Sequence, residues 1–177
     1  MRLGRSIYLL LFPLATFAQE PAKSRPSPVA IAAVKYKDTY LKIVYGQPQK
    51  KGRDIFGQLV PFDQVWRTGA NEATEIHLTK DIKANNLDLK AGNYSLFTIP
   101  GKDKWTIILN ADLGLWGAYN YNIKSDVLRF EVPAVTIAET RESFTIQIDQ
   151  KNDKADLTMA WDKTKVTIPI QFSEPKP

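Results

Sequence analysis

The segment from Gly46 to Glu72 carries the side chains whose chemistry is hardest to explain by packing alone. It reads GQPQKKGRDIFGQLVPFDQVWRTGANE and has no clear period, and long irregular loops in compact domains are often functional. The candidates for a ligand site in this segment are Arg53, Trp66, Arg67, Asn71 and Glu72. Arg67 offers a rigid fork of donors suited to a carboxylate, a phosphate or sugar hydroxyls. The alternative is structural, with Arg67 paired to Asp54 or Glu72 and Trp66 filling the core.

A second candidate segment is the aromatic run WGAYNY at positions 116–121. Tyr119 and Tyr121 would share a face if this run were extended. Aromatic rings beside an asparagine can stack on sugar rings and bind their hydroxyls, which predicts a contribution to a ligand site. The alternative is an aromatic cap that closes one end of the domain, since aromatic side chains bury large areas.

His77 is the only histidine, and Glu75 shares its face of a predicted strand. Neighbours of this kind lie roughly 6.5–7 Å apart, so the two could act as weak acid or base candidates on one substrate. The alternative is a solvent-facing histidine, because one imidazole with carboxylates is a poor metal site. We predict neither a metal nor a cofactor. Glu72 and Glu75, three residues apart, are expected on opposite faces and so not around one glycosidic bond.

Sequence motifs for the common catalytic classes are absent. The chain contains no G-x-S-x-G, no G-x-x-x-x-G-K and no G-x-G-x-x-G. It has no cysteine, which excludes disulfides and thiolate chemistry. Positive and negative charges are mixed along the chain, which predicts no nucleic-acid partner. A small molecule or a glycan remains as the expected partner, and the oligomeric state is left open.

The N-terminus has the features of a secretory signal. Arg2 and Arg5 precede an apolar run that ends in Thr16-Phe17-Ala18, so residues 1–18 are predicted to be a signal peptide cleaved after Ala18. The run is too short to span a membrane. Removing its two arginines lowers the formal net charge from +5 to +3. Residues 19–28 are a polar, proline-rich leader, and 29–173 form one domain, expected in the periplasm or outside the cell.

The domain itself shows a period of two almost throughout. Alternation of this kind predicts strands with one buried face, and nine short strands joined by polar turns predict an all-β, antiparallel β-sandwich, of which a jelly roll is one form. We predict strands at Val29–Val34, Thr39–Tyr45, Ala73–Lys80, Asn93–Ile99, Lys104–Asn110, Asp126–Val132, Ser143–Gln150, Ala155–Trp161 and Lys165–Phe172. The last two are expected to form a hairpin around Asp162-Lys163-Thr164.

Three stretches of this sequence resemble a known family. The runs GRDIFGQLVPFDQVWRTGANEATEI, AGNYSLFTIPGKDKWTIILN and WGAYNY are similar to the domain-of-unknown-function 2911 family. Its members are exported bacterial proteins, most familiar from the Bacteroidota. The resemblance covers roughly Val29 to Phe172, nearly the whole mature chain. It implies export and a compact β-rich domain, and because the family has no established reaction, it implies no catalytic residue.

Two functions are compatible with these residues. The first, which the sequence favours, is a binding or structural module of the cell envelope with a polar-aromatic site in the 46–72 loop. The second is a hydrolase or isomerase acting on an anionic or carbohydrate substrate through Arg67 with Glu72 or His77. The position of these side chains distinguishes the two functions. An enzyme needs Arg67 and its acid or base around one cleft, whereas a binding module does not.

Overall fold

The computed structural model describes residues 26–173 of the protein. The predicted signal peptide, most of the predicted leader and the last four residues lie outside this range. Residues 26–173 contain no helix with the length and apolar character of a membrane span.

Nine strands and one short 3₁₀ turn make up the regular structure of the described chain. The strands are β1 Val29–Tyr36, β2 Thr39–Gly46, β3 Thr74–Leu78, β4 Ile82–Ala84, β5 Leu87–Leu89, β6 Gly92–Pro100, β7 Lys104–Asn110, β8 Asp126–Lys151 and β9 Lys154–Phe172, and the turn is Ile123–Ser125. All neighbouring strands are antiparallel, in the order β1-β2-β3-β6-β7-β8-β9-β4-β5. The predicted all-β, antiparallel architecture is confirmed.

The C-terminal half differs from the prediction in how its strands are divided. The four short strands expected between 126 and 172 are two long ones, β8 and β9, so the predicted hairpin around Asp162-Lys163-Thr164 is wrong. Asp162 has a positive φ of 53°, but it stays paired with Arg141 of β8 and its carboxylate lies 3.0 Å from Lys50 Nζ. The strand therefore bends at Asp162 and continues. The two short strands β4 and β5 were not predicted from the sequence.

The bends in β8 fold the sheet over one core. The β8–β9 register shifts between Thr136 and Thr145, and the N-terminal part of β8 pairs with β7 while the rest pairs with β9. Strands that bend in this way carry a sheet around a corner. The inward rows of both halves then form one apolar cluster, which includes Leu41 and Ile43 of β2 and Val166 and Ile168 of β9.

Aromatic rings fill the end of this core nearest the 46–72 loop. Trp66 from the loop stacks on Trp161 of β9 at 6.1 Å and packs edge-on to Trp105 and Phe144 at 6.0 and 5.1 Å. Phe56 of the same loop lies 5.0 Å from Trp105. The long irregular loop is therefore fixed to the sheet by the rings that it inserts.

Candidate functional site

Trp66 occupies a strand-like position beside β6, although it belongs to the loop. Its backbone N–H donates to Thr98 O at 2.7 Å and its carbonyl accepts from Thr98 N at 2.9 Å. The indole is 8% exposed, and its Nε1 donates to Gly69 O at 3.1 Å. Trp66, a candidate ligand residue from the sequence, thus faces the core and anchors the loop.

Arg67 faces the opposite side of the sheet from Trp66. The Trp66–Thr98 bridge is antiparallel, so Arg67 lies beside Phe97 on the outer face. A second, smaller apolar cluster covers this face, built on Ala73, Phe97 and Ile108. Arg67 is therefore placed at the edge of an apolar layer and not in open solvent.

The Nε of Arg67 has no hydrogen-bond partner in residues 26–173. This nitrogen is buried, and no ion pair joins the side chain to Asp54 or Glu72. Burial lowers the pKa of Arg67, and its electrostatic interaction with Tyr119 only partly opposes this shift. A buried donor without a partner is costly, so a loop-bracing role does not account for this side chain.

The backbone that follows Arg67 is strained and tightly held. Thr68 has a φ of +53° and is fully buried, although a β-branched residue in this region is an outlier. Its hydroxyl donates to Thr98 Oγ1 at 3.1 Å, and Thr74 Oγ1 donates to Thr68 O at 2.6 Å. Gly46 at the end of β2 approaches so closely that a Cβ there would lie 1.9 Å from Ala70 O. Strain of this kind clusters at ligand sites.

The aromatic segment 111–122 is joined to the end of the 46–72 loop. Ala73 N donates to Leu115 O at 2.8 Å and Gly117 N donates to Asn71 O at 3.0 Å, around a bridge between Glu72 and Trp116. Three residues of the segment pack on the outer cluster, namely Leu115, Ala118 and Tyr121. The two segments singled out in the sequence thus lie together.

Tyr119 is the most exposed aromatic residue of this segment. Its side chain is 83% exposed, and its ring rests against Gly117, where a Cβ would lie 2.8 Å from Cε2 of the ring. Gly117 therefore packs against one edge of the Tyr119 ring.

Tyr121 has a structural environment. Its ring packs edge-on to Phe97 at 5.1 Å, and its hydroxyl donates to Asp126 Oδ2 at 2.7 Å and accepts from Arg129 at 3.3 Å. Burial, followed by the hydrogen bond to Asp126, raises the pKa of Tyr121 to about 12. The phenol is thereby kept neutral inside the protein.

Two further candidates, Arg53 and Asn71, donate to backbone carbonyls. Arg53 donates through Nε to Lys50 O at 2.9 Å and through a terminal nitrogen to Gln49 O at 2.5 Å. Asn71 is 7% exposed and its Nδ2 donates to Ser27 O at 3.1 Å. These contacts hold the loop and the start of the domain, and they occupy donors of Arg53 and Asn71.

Glu72 and Glu75 line one cleft of about 220 Å³, together with Val29 and Gly114. The expectation of opposite faces assumed one strand, but β3 begins at Thr74 and Glu72 lies before it, in a bridge with Trp116. The Glu75 carboxylate accepts from Gly114 N at 2.9 Å.

His77 and Glu75 line an adjoining cleft of about 270 Å³ with Lys42 and Asn93. His77 Nδ1 lies 2.6 Å from Asn93 Oδ1, which orients the imidazole and directs Nε2 away from that contact. No group of three or more potential metal ligands comes together in the part of the chain that the structure describes. Arg67 lines neither of these two clefts.

Asn93 and Gly114 are the site neighbours that sequence reasoning missed. Asn93 meets His77 only through the β3–β6 register, and Gly114 meets Glu75 across 39 positions of the chain. Neither contact has a local sequence signal, because both depend on strand pairing and on the path of the 111–122 segment.

Fold and site together define an antiparallel β-sheet protein of the sandwich type, with two loops that meet over its outer face. The chain belongs to the family described as protein of unknown function (DUF2911), whose model matches residues 27–170. No curated protein and no solved structure gives a significant match to the chain.

Proposed function

We propose that this protein is an exported binding module of the cell envelope that holds an anionic ligand at Arg67. The observation that carries the proposal is the buried Nε of Arg67, which has no partner in the described chain. The proposal of export rests on the N-terminal sequence alone, which has two arginines, an apolar run and small residues before the predicted cleavage site.

A charged group that is partly buried without a partner is energetically costly. Guanidinium groups stay charged at any physiological pH, so Arg67 must be solvated, paired or directed at a ligand. Its surroundings withdraw water and lower its pKa without supplying a carboxylate. An anion bound there would replace the lost hydration with charge-assisted hydrogen bonds, which are the strong ones.

The enzymatic alternative has one observation in its favour. Glu72, Glu75 and His77 line two adjoining clefts, and the imidazole is oriented by Asn93. A hydrolase or isomerase that uses Arg67 together with Glu72 or His77 would need all three around one substrate. Arg67 lies outside both clefts, which favours the binding module.

A thermal-shift screen of the purified protein tests the proposal. The probes are acetate, benzoate, succinate, citrate, inorganic phosphate, sulfate and sugar acids. We expect at least one of them to stabilise the protein, by about 2.7 kcal/mol at a hundred times its Kd. Arg67→Met keeps much of the apolar stem and removes the charge, so its response to that probe should vanish, while Arg53→Met should respond like wild type. Equal stabilisation of wild type and Arg67→Met, or no response to any anion, would refute the proposal.

A further inference from the structure

We infer that a groove on the outer face of β2 and β3 binds a short peptide with free termini, a dipeptide in length, through Glu75 and Lys42. The groove consists of the two adjoining clefts of about 220 and 270 Å³, which share Val44 and Glu75, and we refer to them together as the β2–β3 groove. Arg67 lines neither cleft, so this second site is independent of the proposed anion site.

Two opposite charges line the β2–β3 groove without pairing with each other. Lys42 of β2 and Glu75 of β3 both line the second cleft, yet no ion pair joins either side chain to another described residue. The strand register places Lys42 opposite His77 and Val44 opposite Glu75, so Lys42 and Glu75 are diagonal neighbours. A cation and an anion side by side in one groove complement a zwitterion, which carries one charge of each sign.

Neighbouring groups hold two polar side chains of the groove in fixed orientations. The Glu75 carboxylate accepts from Gly114 N through Oε1 at 2.9 Å, which leaves its second oxygen for a ligand. His77 Nδ1 lies 2.6 Å from Asn93 Oδ1, and since this oxygen can only accept, Nδ1 carries the proton. In the neutral imidazole, Nε2 is then an acceptor that suits a peptide N–H. Side chains that are oriented before the ligand arrives lose less entropy when they bind it.

The spacing of Lys42 and Glu75 sets the length of the ligand. Diagonal neighbours in an antiparallel pair lie about 7–8 Å apart. An extended chain advances by about 3.3–3.6 Å per residue, so two residues span roughly 7 Å. A dipeptide matches this spacing with its ammonium group at Glu75 and its carboxylate at Lys42, whereas the two charges of a single amino acid lie too close together to match it.

Aliphatic side chains beside these charges favour an apolar peptide. Val29 and Val44 line the first cleft, and Val44 and Leu113 line the second. Val29 and Leu113 are 49% and 45% exposed, so a ligand in the groove would cover apolar surface that water now contacts. Because removal of such surface from water is favourable, we expect leucine side chains to be preferred over glycine.

Calorimetric titration of the full chain tests the inference with five probes, namely Leu-Leu, N-acetyl-Leu-Leu, Leu-Leu-amide, Gly-Gly and free leucine. We expect Leu-Leu to bind at least tenfold more tightly than each of the others, because each of them lacks one charge, the apolar side chains or the spacing. Absence of Leu-Leu binding at millimolar concentrations, or equal affinity for Leu-Leu and any of the other four, would overturn the inference.

Two variants assign the charges to their residues. Glu75→Gln keeps an acceptor for Gly114 N and removes the negative charge, so it should bind Leu-Leu and N-acetyl-Leu-Leu equally weakly. Lys42→Met should bind Leu-Leu and Leu-Leu-amide equally weakly. The matched control is Lys35→Met, which should bind Leu-Leu like wild type, because Lys35 is an exposed lysine of β1 that lines neither cleft. A wild-type preference for the free terminus in Glu75→Gln or Lys42→Met would contradict the assignment.

The two proposals fail in different ways. If an anion binds in an Arg67-dependent manner and Leu-Leu does not bind, the peptide groove is wrong and the proposed anion site stands. If Leu-Leu binds with the expected dependence on Glu75 and Lys42, and Arg67→Met leaves both this binding and every anion response unchanged, the anion site is wrong and the peptide groove stands.

Discussion

Arg67 and its neighbour Trp66 point to opposite faces of the sheet and have different roles. The backbone pairing with Thr98 points the indole into the aromatic core and therefore points the guanidinium to the outer face. Trp66 holds the loop in place, and Arg67 is left half-buried and unpaired within the described chain. Charge that the fold alone does not need is a common feature of binding sites.

Tyr121 gives a pH dependence with a defined sign. Its pKa in the folded protein is about 12, above the value of about 10 for an unfolded tyrosine. The interactions of the neutral phenol therefore stabilise the fold fully below about pH 10 and are lost as pH rises from about 10 to 12. The free energy of unfolding of wild type should fall towards that of Tyr121→Phe over this range.

Urea unfolding of wild type and Tyr121→Phe at several alkaline pH values checks this expectation. The other tyrosines titrate in both proteins, so the difference between the two curves isolates Tyr121. A difference that stays constant from about pH 9 to about pH 11.5 would contradict the assignment of the raised pKa to this residue.

The long strand β9 contributes a fully buried ring, Trp161, to the aromatic core. Trp161 is 1% exposed, and its Nε1 donates to Glu142 O at 3.2 Å. Trp161→Ala should lower the free energy of unfolding by about 3–5 kcal/mol because it leaves a large cavity. Asp156→Ala, on the exposed face of the same strand, should change it by less than about 0.5 kcal/mol. Similar losses in urea unfolding would show that the inward face of β9 is misassigned.

The close approach of the end of β2 to the 46–72 loop depends on Gly46. Gly46→Ala would place a Cβ against the backbone carbonyl of Ala70, which cannot move aside as a side chain can. We expect a loss of about 3 kcal/mol or more, at the upper end for overpacking. The control is Gly52→Ala, which meets no atom within 4 Å and has only the left-handed φ of 71° to accommodate, roughly 1–2 kcal/mol. Equal unfolding midpoints for the two variants would refute the close approach.

At the scale of the whole molecule, the local alternation of apolar residues was enough to predict the class of fold. Thr39–Tyr45 and Lys104–Asn110 were placed within one residue of their observed bounds: β2 alternates between buried and more exposed side chains, and β7 is a short apolar run that is buried on both faces in its second half. The division of β8 and β9 was not predictable, since Asp162 reads as a turn residue while its pairing with Arg141 keeps it in the strand. β4 and β5 are three residues each, too short for a period to show.

The site could be predicted only as two separate segments. The irregular 46–72 loop and the aromatic 116–121 run were both visible, but their junction depends on backbone pairing between residues 71–73 and 115–117. The sequence favoured Arg67 and kept Arg53 and Asn71 as further candidates, but it could not show which of the three has its donors satisfied. Their hydrogen-bond partners distinguish them, and such partners are set by tertiary structure.

The N-terminal sequence makes a prediction for the protein in its host. Cleavage after Ala18 should give a mature chain that begins at Gln19. Intact mass and N-terminal sequencing of protein recovered from the cell envelope and from the medium would measure this. A mature species that retains residues 1–18 would contradict export by a cleaved signal.

The central claim is that Arg67 serves a ligand and not the fold, and one paired measurement tests it most directly. Urea unfolding of wild type and Arg67→Met, each with and without the best anion from the screen, gives both stability and binding. We expect the two free energies of unfolding to agree within about 0.5 kcal/mol without the anion, or the variant to be the more stable, and only wild type to gain stability with it. A loss of about 3–5 kcal/mol in Arg67→Met, the cost of breaking a buried pair, with the anion still stabilising the variant, would contradict the account.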